Sequence, residues 1–228
     1  MLVTRTALVF AATAAATAAA TAAVALGTAS AAAQTDKVPP TVGGGSGILV
    51  DTHVGCTLTT IGRDSAQRLV GLTAGHCGQP GATVVVEGDP DGAAVGRFVY
   101  SDHTLDYAVI EFDSARVTPV NQVGGTTITG LGGPAAFPNV VCKRGSTSGT
   151  SCGVVWGDVR ATATETWTQM CVMKGDSGAP VVIGSTLVGM VNAYLGVGCF
   201  GPEVGTNISA IMNDLNARGD IGAGYQPL

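Results

Sequence analysis

The sequence has few charged residues, few histidines and none of the usual zinc-binding spacings. Charged side chains make up 12% of the chain, and 11 basic residues stand against 16 acidic ones. A formal net charge of -5 provides no basic surface for nucleic acid, so we expect no nucleic-acid partner. Neither Cys-x-x-Cys nor His-x-x-x-His occurs. A zinc site is therefore not expected, and we predict no metal and no cofactor.

The amino terminus has the pattern of a cleaved secretion signal. Arg5 gives it a positive start, residues 7–26 carry no charge, and residues 29–31 or 31–33 offer a small-residue cleavage site. Alanine and threonine dominate the segment, and no basic stop-transfer cluster follows it, which disfavours a membrane anchor. We predict a signal peptide over 1–33 and a secreted product that keeps no stable membrane anchor.

Six cysteines lie beyond the predicted signal peptide. An even number in an exported chain is typical of disulfide bonding, so we expect three disulfides. The spacing alone does not choose among the possible pairings. The cysteines are Cys56, Cys77, Cys142, Cys152, Cys171 and Cys199.

Short apolar runs rich in Val, Ile and Thr alternate with Gly, Pro, Asn and Asp clusters over most of the remaining chain. This alternation predicts an all-β barrel or sandwich. The runs cover residues 68–73, 82–87, 94–100, 105–112, 140–143, 153–159, 180–183 and 186–193.

The two ends of this region have a different pattern. Residues 34–47 are rich in Pro and Gly and are predicted to form a flexible lead-in, followed by a folded domain over 48–228. Near the carboxyl end, one helix is predicted between Asn207 and Gly219. Its apolar residues recur at helical spacing: Ile208, Ile211, Met212 and Leu215.

The three histidines, His53, His76 and His103, all precede the best candidate for a nucleophilic serine, which is Ser177 in the segment GDSGAP (175–180). A serine nucleophile needs an imidazole to accept its proton and a carboxylate to orient that imidazole. The α/β-hydrolase order of Ser, acid and His is excluded for this serine, and Ala179 breaks the G-x-S-x-G pattern. The order His, Asp, Ser stays open.

Each candidate has an ordinary structural alternative when it is taken alone. His76 ends a predicted strand beside Cys77, where a structural role is more common than a catalytic one. Asp106 begins an apolar strand, where an unpaired carboxylate would be costly but a turn or capping aspartate is equally compatible. Ser177 lies in a glycine-flanked turn of a common composition, which would allow the Gly175 and Ser177 N–H groups to converge on an oxyanion.

The segments TAGHC (73–77), LDYAVI (105–110) and GDSGAP (175–180) follow one another in this order. Together they resemble the chymotrypsin-like (trypsin-like) serine proteases, and more narrowly the bacterial branch of the streptogrisins and α-lytic protease. The narrower likeness rests on residues 141–153 and on Cys171, six residues before Ser177. It covers nearly all of residues 48–225.

This resemblance implies two six-stranded antiparallel β-barrels, an active site in the cleft between them and a carboxy-terminal helix. It assigns His76, Asp106 and Ser177 as the catalytic triad, and the N–H groups of Gly175 and Ser177 as the oxyanion hole. Ala179 departs from the family, which usually has a glycine there. The implied disulfides are Cys56–Cys77, Cys142–Cys152 and Cys171–Cys199.

The resemblance also implies a pocket for P1, the substrate residue whose carbonyl is attacked. Its walls would come from two segments in which no acid is present to bind a substrate Arg or Lys. We therefore expect cleavage after small or medium apolar residues, with Tyr194 narrowing the entrance. The predicted substrate-binding residues are Val172, Met173, Val191, Asn192, Ala193 and Tyr194.

The aspartate before the nucleophile needs a cation if it is buried. Bacterial members of the family use an arginine just after a cysteine of the middle disulfide, and Lys143 stands at that position here, followed by Arg144. We predict a structural ion pair between Lys143 and Asp176, with Arg144 as the alternative cation, and no activating role for the lead-in.

The predicted function is that of a secreted, monomeric serine endopeptidase acting on protein or peptide substrates. A catalytically silent binding protein of the same fold is the alternative, although such proteins usually lose a triad residue and all three are present here. A secreted esterase is a third possibility, because the same triad cleaves esters.

Overall fold

The computed structural model describes residues 38–89 and 92–228. The predicted signal peptide, 1–33, and the first four residues of the predicted lead-in lie outside the described residues. Within the described ranges, no helix is both long enough and apolar enough to cross a membrane.

Short strands make up most of the described chain, as the alternating apolar runs predict. Two helical segments accompany them, a 3-10 turn over Gly75–Cys77 and the helix α1 over Ile208–Arg218. The strands are β1 (Thr41–Val42), β2 (Gly47–Val50), β3 (Val54–Thr57), β4 (Thr60–Arg63), β5 (Leu69–Ala74), β6 (Thr83–Val86), β7 (Gly96–Asp102), β8 (Tyr107–Phe112), β9 (Thr118–Pro119), β10 (Gln122–Val123), β11 (Thr126–Thr127), β12 (Gly130–Leu131), β13 (Val140–Gly145), β14 (Gly149–Gly157), β15 (Glu165–Thr168), β16 (Pro180–Ile183), β17 (Thr186–Tyr194), β18 (Glu203–Asn207) and β19 (Gln226–Pro227).

The strands form two β units. The second is a closed barrel of six strands in the order β17-β16-β13-β14-β15-β18, in which β18 pairs again with β17. The first is a curled sheet in the order β19-β4-β5-β8-β7-β6-β2-β3. The predicted all-β, two-barrel architecture is confirmed, with the difference that the first unit is not a closed barrel among the described residues. Its edge strand β3 instead contacts the second unit. The N–H of Thr57, at the end of β3, donates to the carbonyl of Ser177 in the second unit at 2.8 Å.

The middle strands of the first unit and the carboxy-terminal helix share one core. All six residues of β5 are buried, and so are five of the six in β8. Helix α1 packs its apolar face, with Ile208, Ile211 and Leu215 buried, into the same cluster. It ends where predicted, at Gly219, whose φ of 68° is a conformation that glycine adopts without strain.

The lead-in prediction is wrong from Thr41 onward. Strand β1 pairs in parallel with β9, and Val42 is fully buried. The Gly45 N–H donates to the Leu58 carbonyl at 2.7 Å. A Cβ on Gly44 would lie 2.6 Å from the Thr59 carbonyl oxygen. Glycine in this segment therefore permits close packing and does not confer flexibility.

All six cysteines are bonded, and the pairs are those that the resemblance implies. Cys56–Cys77 ties β3 to the turn that carries His76, and Cys142–Cys152 joins paired positions of β13 and β14. Cys171–Cys199 links the segment before the nucleophile to the loop after β17.

Candidate active site

His76 is held in the short 3-10 turn that follows the buried strand β5. Its neighbour Cys77 is anchored by the disulfide to Cys56. Gly75 is required on the other side, because a Cβ there would lie 2.4 Å from the Asp102 carbonyl oxygen. The turn thus has little freedom, while the His76 side chain itself stays 45% exposed.

Asp106 lies immediately before β8 with a φ of 49°, a left-handed conformation that is strained for most residues other than glycine. Neighbouring groups hold it there. The Asp102 carboxylate accepts hydrogen bonds from the Thr104 and Leu105 N–H groups, and the Leu105 carbonyl accepts one from the Thr206 hydroxyl. The second barrel therefore helps to fix a residue of the first.

Ser177 lies in the tight turn before β16. A Cβ on Gly178 would meet the Thr57 carbonyl oxygen at 2.2 Å, so only glycine fits after the serine. Ala179 is accommodated, because its side chain is buried in the core of the second barrel and its N–H donates to the Asp176 carbonyl. Within the described part of the chain, neither the Gly175 nor the Ser177 N–H has a hydrogen-bond partner. Both donors are free to receive an oxyanion.

A continuous hydrogen-bond path joins the three side chains. His76 Nδ1 lies 2.8 Å from Asp106 Oδ2, and His76 Nε2 lies 2.9 Å from Ser177 Oγ. The His76 backbone N–H also donates to Asp106 Oδ1 at 2.8 Å. This is the geometry in which a neutral imidazole accepts the serine proton and a carboxylate stabilises the imidazolium that results.

The pKa of His76 is raised and the pKa of Asp106 is lowered by their contact with each other. The hydrogen bond from His76 to Asp106 raises the pKa of His76, and the negative charge of Asp106 adds to this rise. Partial burial of the imidazole lowers the pKa, but by less than the hydrogen bond raises it. Burial raises the pKa of Asp106, but the hydrogen bonds and charge of His76, together with an Asn192 hydrogen bond, outweigh it and hold the pKa below the usual 3.8. Asp106 is therefore ionised whenever His76 can act as a base.

The side chain of Asn192, which we predicted to bind substrate, is hydrogen-bonded to Asp106 and to β18. Its Nδ2 donates to Asp106 at two places, the backbone carbonyl at 2.6 Å and Oδ2 at 2.9 Å. Its Oδ1 accepts from the Thr206 N–H at 2.7 Å. The reason is a bulge between Val191 and Ala193, which breaks the alternation of β17 that the sequence pattern suggests.

The carboxylate before the nucleophile is buried and fully hydrogen-bonded. Lys143 Nζ lies 2.9 Å from Asp176 Oδ2, and both side chains are completely buried. Asp176 also accepts hydrogen bonds from the Ser148 hydroxyl and from the N–H groups of Thr147, Ser148 and Met173. Burial raises the pKa of Asp176, but the hydrogen bonds from Lys143 and Ser148 outweigh it, so the pKa lies below the usual 3.8.

Arg144, the alternative cation, points elsewhere. Its side chain packs against Gly45 and Gly124, and its Nε is buried without a partner in the described part of the chain. Adjacent residues of a strand project to opposite faces, so only one of Lys143 and Arg144 can reach Asp176.

The other five predicted pocket residues differ in burial and in their contacts. Val191 exchanges backbone hydrogen bonds with the turn of Ser177, accepting from Gly178 at 2.7 Å and donating to Ala179 at 2.9 Å. Val172 and Val191 are buried, Met173 is 45% exposed, Ala193 is exposed and Tyr194 is half-buried. Val172 and Val191 belong to the core cluster of the second barrel, and Tyr194 packs against that cluster.

Glu203 was missed by the sequence reasoning. It lies on β18 directly opposite Tyr194 and is 1% exposed. Nothing in its local sequence, Gly201-Pro202-Glu203-Val204, distinguishes it from a surface acid. Its place becomes evident only from the pairing of β18 with β17.

No family model matches the sequence. Several solved structures do match, and the matched region includes nearly the whole of each of those chains. Thermobifida fusca protease A is 26% identical with a TM-score of 0.66, covering 82% of this chain and 98% of that one. Cellulomonas bogoriensis chymotrypsin is 25% identical with a TM-score of 0.62, covering 82% and 98%. A Nocardiopsis protease is 24% identical with a TM-score of 0.65, covering 76% and 95%.

The matches agree with the fold and with the chemistry that the side chains can perform. They extend over most of the described chain and include both β units. The solved structures that match are bacterial chymotrypsin-like serine proteases, which are hydrolases, and this chain has their fold.

Proposed function

We propose that the chain is a secreted serine endopeptidase with His76, Asp106 and Ser177 as its catalytic triad. The hydrogen-bond path from Asp106 through His76 to Ser177 Oγ carries the proposal. A catalytically silent binding protein of the same fold would have no use for that path, nor for two free N–H donors beside the serine.

The chemistry proceeds in two halves. Ser177 Oγ attacks the carbonyl carbon of the scissile bond while His76 Nε2 takes its proton, and the oxyanion binds the N–H groups of Gly175 and Ser177. His76 then gives the proton to the leaving amine, which leaves an acyl-enzyme. In the second half, His76 activates a water molecule that hydrolyses the ester and restores Ser177.

The proposed substrates are proteins or peptides with a small or medium apolar P1 residue. The proposal is supported by the absence of charge among the predicted wall residues Val172, Val191 and Tyr194, and we expect Tyr194 to narrow the pocket. Three closed disulfides favour an oxidising compartment, which supports secretion. We propose that the mature chain acts as a monomer without a membrane anchor.

The test is Ser177→Ala together with labelling by a serine-directed phosphonate. We expect the variant to lose about 10⁴-fold or more in kcat on peptides and to lose all labelling, while its thermal unfolding is unchanged. His53→Ala is the matched control, because His53 is an exposed histidine outside the path. A wild-type protein that is not labelled would favour the silent binding protein. Turnover of esters without peptides would favour the esterase.

A further inference from the structure

The carboxy-terminal end of helix α1 carries two charged side chains that contact a pair of tyrosines in the first unit. The hydroxyl of Tyr107 donates to Asp214 Oδ2 at 2.5 Å. One turn further along the helix, the Arg218 guanidinium lies over the ring of Tyr100, with its Cζ 3.3 Å from the ring centroid. The Tyr100 and Tyr107 rings are themselves neighbours, with 5.7 Å between their centroids.

Tyr107 lies between the segments that carry Asp106 and His76. It directly follows Asp106 and is the first residue of β8. Across the sheet it is paired with Ala74, two residues before His76. A Cβ on Gly75 would lie 2.9 Å from the Tyr107 nitrogen and 3.0 Å from the Tyr107 carbonyl oxygen, so the two backbones are in close contact. A displacement of Tyr107 would therefore change the distance between Asp106 and His76.

The loop between β7 and β8 is also held from the same helix. The Tyr100 hydroxyl donates to Asp102 Oδ2 at 3.2 Å, and the other oxygen of this carboxylate accepts two backbone N–H groups of the loop. Arg218 packs on the ring of Tyr100. Helix α1 thus supports both ends of the loop whose last residue, Asp106, has a φ of 49°. A strained conformation of this kind persists only where its surroundings fix it.

The hydroxyl of Tyr107 is not needed to fill space. Tyr107 is fully buried in the core of the first unit, where the ring of a phenylalanine would occupy nearly the same volume. Burial and the hydrogen bond to Asp214 raise the pKa of Tyr107, so the hydroxyl stays protonated and donates. A carboxylate acceptor makes such a bond about twice as strong as a bond between neutral groups. Asp214 therefore fixes Tyr107 relative to the helix.

We propose that Asp214 is a positioning residue for catalysis, which acts through Tyr107 to hold Asp106 where its carboxylate meets His76 Nδ1. This rests on the proposed function, because the position of Asp106 affects turnover only if Asp106 serves His76. The effect passes through the first residue of β8 and not through a contact with the reacting atoms. Loss of the bond between Tyr107 and Asp214 leaves the triad complete but lengthens its hydrogen-bond path.

The experiment measures kcat and KM on one peptide substrate for Asp214→Ala, Tyr107→Phe and the double variant. We expect each single change to lower kcat by about 10- to 100-fold with KM unchanged, the range for a small misplacement of catalytic groups. The double variant should lose no more than either single one, because both changes remove the same bond. Asp214→Asn keeps an acceptor for the hydroxyl and should retain most of the activity. Asn213→Ala, at an exposed position of the same helix, is the matched control.

The pH profile separates positioning from a loss of stability. The hydrogen bond to Asp106 raises the pKa of His76. A longer bond raises it less, so the acidic limb of kcat/KM should move to lower pH in both single variants. A variant that only loses stability keeps that limb in place. Tyr107→Phe changes no charge, so a shift in this variant cannot come from the lost carboxylate, and it serves alone if Asp214→Ala does not fold.

Two results would overturn the proposal. One is an unmoved acidic limb or an unchanged kcat in Tyr107→Phe, which would make the bond structural only. The other is an additive loss of kcat in the double variant, which would mean that the two residues do not act as a pair. Labelling by the serine-directed phosphonate separates this from the proposed function. A labelled wild type with unaffected variants contradicts only the role of Asp214, whereas an unlabelled wild type contradicts both.

Discussion

The second barrel contains two buried carboxyl groups in opposite surroundings. Asp176, beneath the nucleophile, is paired with Lys143 and accepts hydrogen bonds from one hydroxyl and three backbone N–H groups. Glu203, beneath Tyr194, is equally buried but has a single donor, the Thr168 hydroxyl. Burial raises both pKa values, yet the net shift is downward for Asp176 and upward for Glu203.

The Lys143 cation and the four further donors therefore keep Asp176 ionised, whereas Glu203, with one hydroxyl donor, has a raised pKa. The difference matches the position of each group. A carboxylate beside the oxyanion hole must keep one geometry, and several fixed donors supply it. The Glu203 carboxyl lies inside the barrel with one hydroxyl donor, and burial outweighs that donor in its pKa.

The largest effect is expected from Lys143→Met, which leaves Asp176 buried without its cation. We expect a loss of about 3–5 kcal/mol in the free energy of unfolding, measured by urea denaturation, because an uncompensated buried charge remains. Arg144→Met is the control, since the Arg144 side chain points away from Asp176. Adding Asp176→Asn to Lys143→Met should recover part of the loss. A loss below about 1 kcal/mol in the free energy of unfolding would mean that the hydroxyl and backbone donors stabilise the Asp176 carboxylate without Lys143.

The next effect concerns the pH dependence of stability at Glu203. Its folded pKa of about 8 lies above the ordinary 4.5, so the folded state holds a proton that the unfolded state releases. Stability from this group is complete below pH 4.5 and is lost as the pH rises toward 8. Glu203→Gln cannot ionise and should lose less stability over that window, by a few kcal/mol at its upper end. Parallel stability curves for the variant and the wild type would refute the raised pKa.

A smaller effect is expected at Asp106, a third acid whose donors come from both β units. Asn192→Ala removes two hydrogen bonds to it, one of them to the carboxylate. Bonds of this kind contribute about 1.5–3 kcal/mol, so we expect kcat to fall about 10- to 150-fold. A carboxylate with fewer donors raises the pKa of His76 further, so the acidic limb of kcat/KM should move to higher pH. A loss of activity without that movement would indicate a packing defect only.

Some features of the fold and of the site could be predicted from the sequence, and others could not. The strands, the helix and its end at Gly219 follow from local patterns, which short-range sterics and burial decide. The Lys143–Asp176 contact was predictable from the family resemblance, because Lys143 stands where bacterial members have an arginine after a cysteine of the middle disulfide. Glu203 and Asn192 were not, because their roles depend on the pairing of β17 with β18 and on a bulge within β17. Such pairings join residues far apart in sequence, and no local pattern encodes them.

The smallest effect is expected from Thr168→Val, which removes the one donor to Glu203 while keeping a β-branched side chain in β15. We expect a loss of about 0.5–1.5 kcal/mol in the free energy of unfolding at pH 6, since the carboxyl is then protonated. The Thr168 hydrogen bond lowers the pKa of Glu203, so its removal should raise that pKa further. In a double-mutant cycle with Glu203→Leu, the double variant should lose less free energy of unfolding than the sum of the two single variants. The reason is that the double variant leaves neither the hydroxyl nor the carboxyl buried without its partner. Strict additivity would mean that Thr168 does not interact with Glu203.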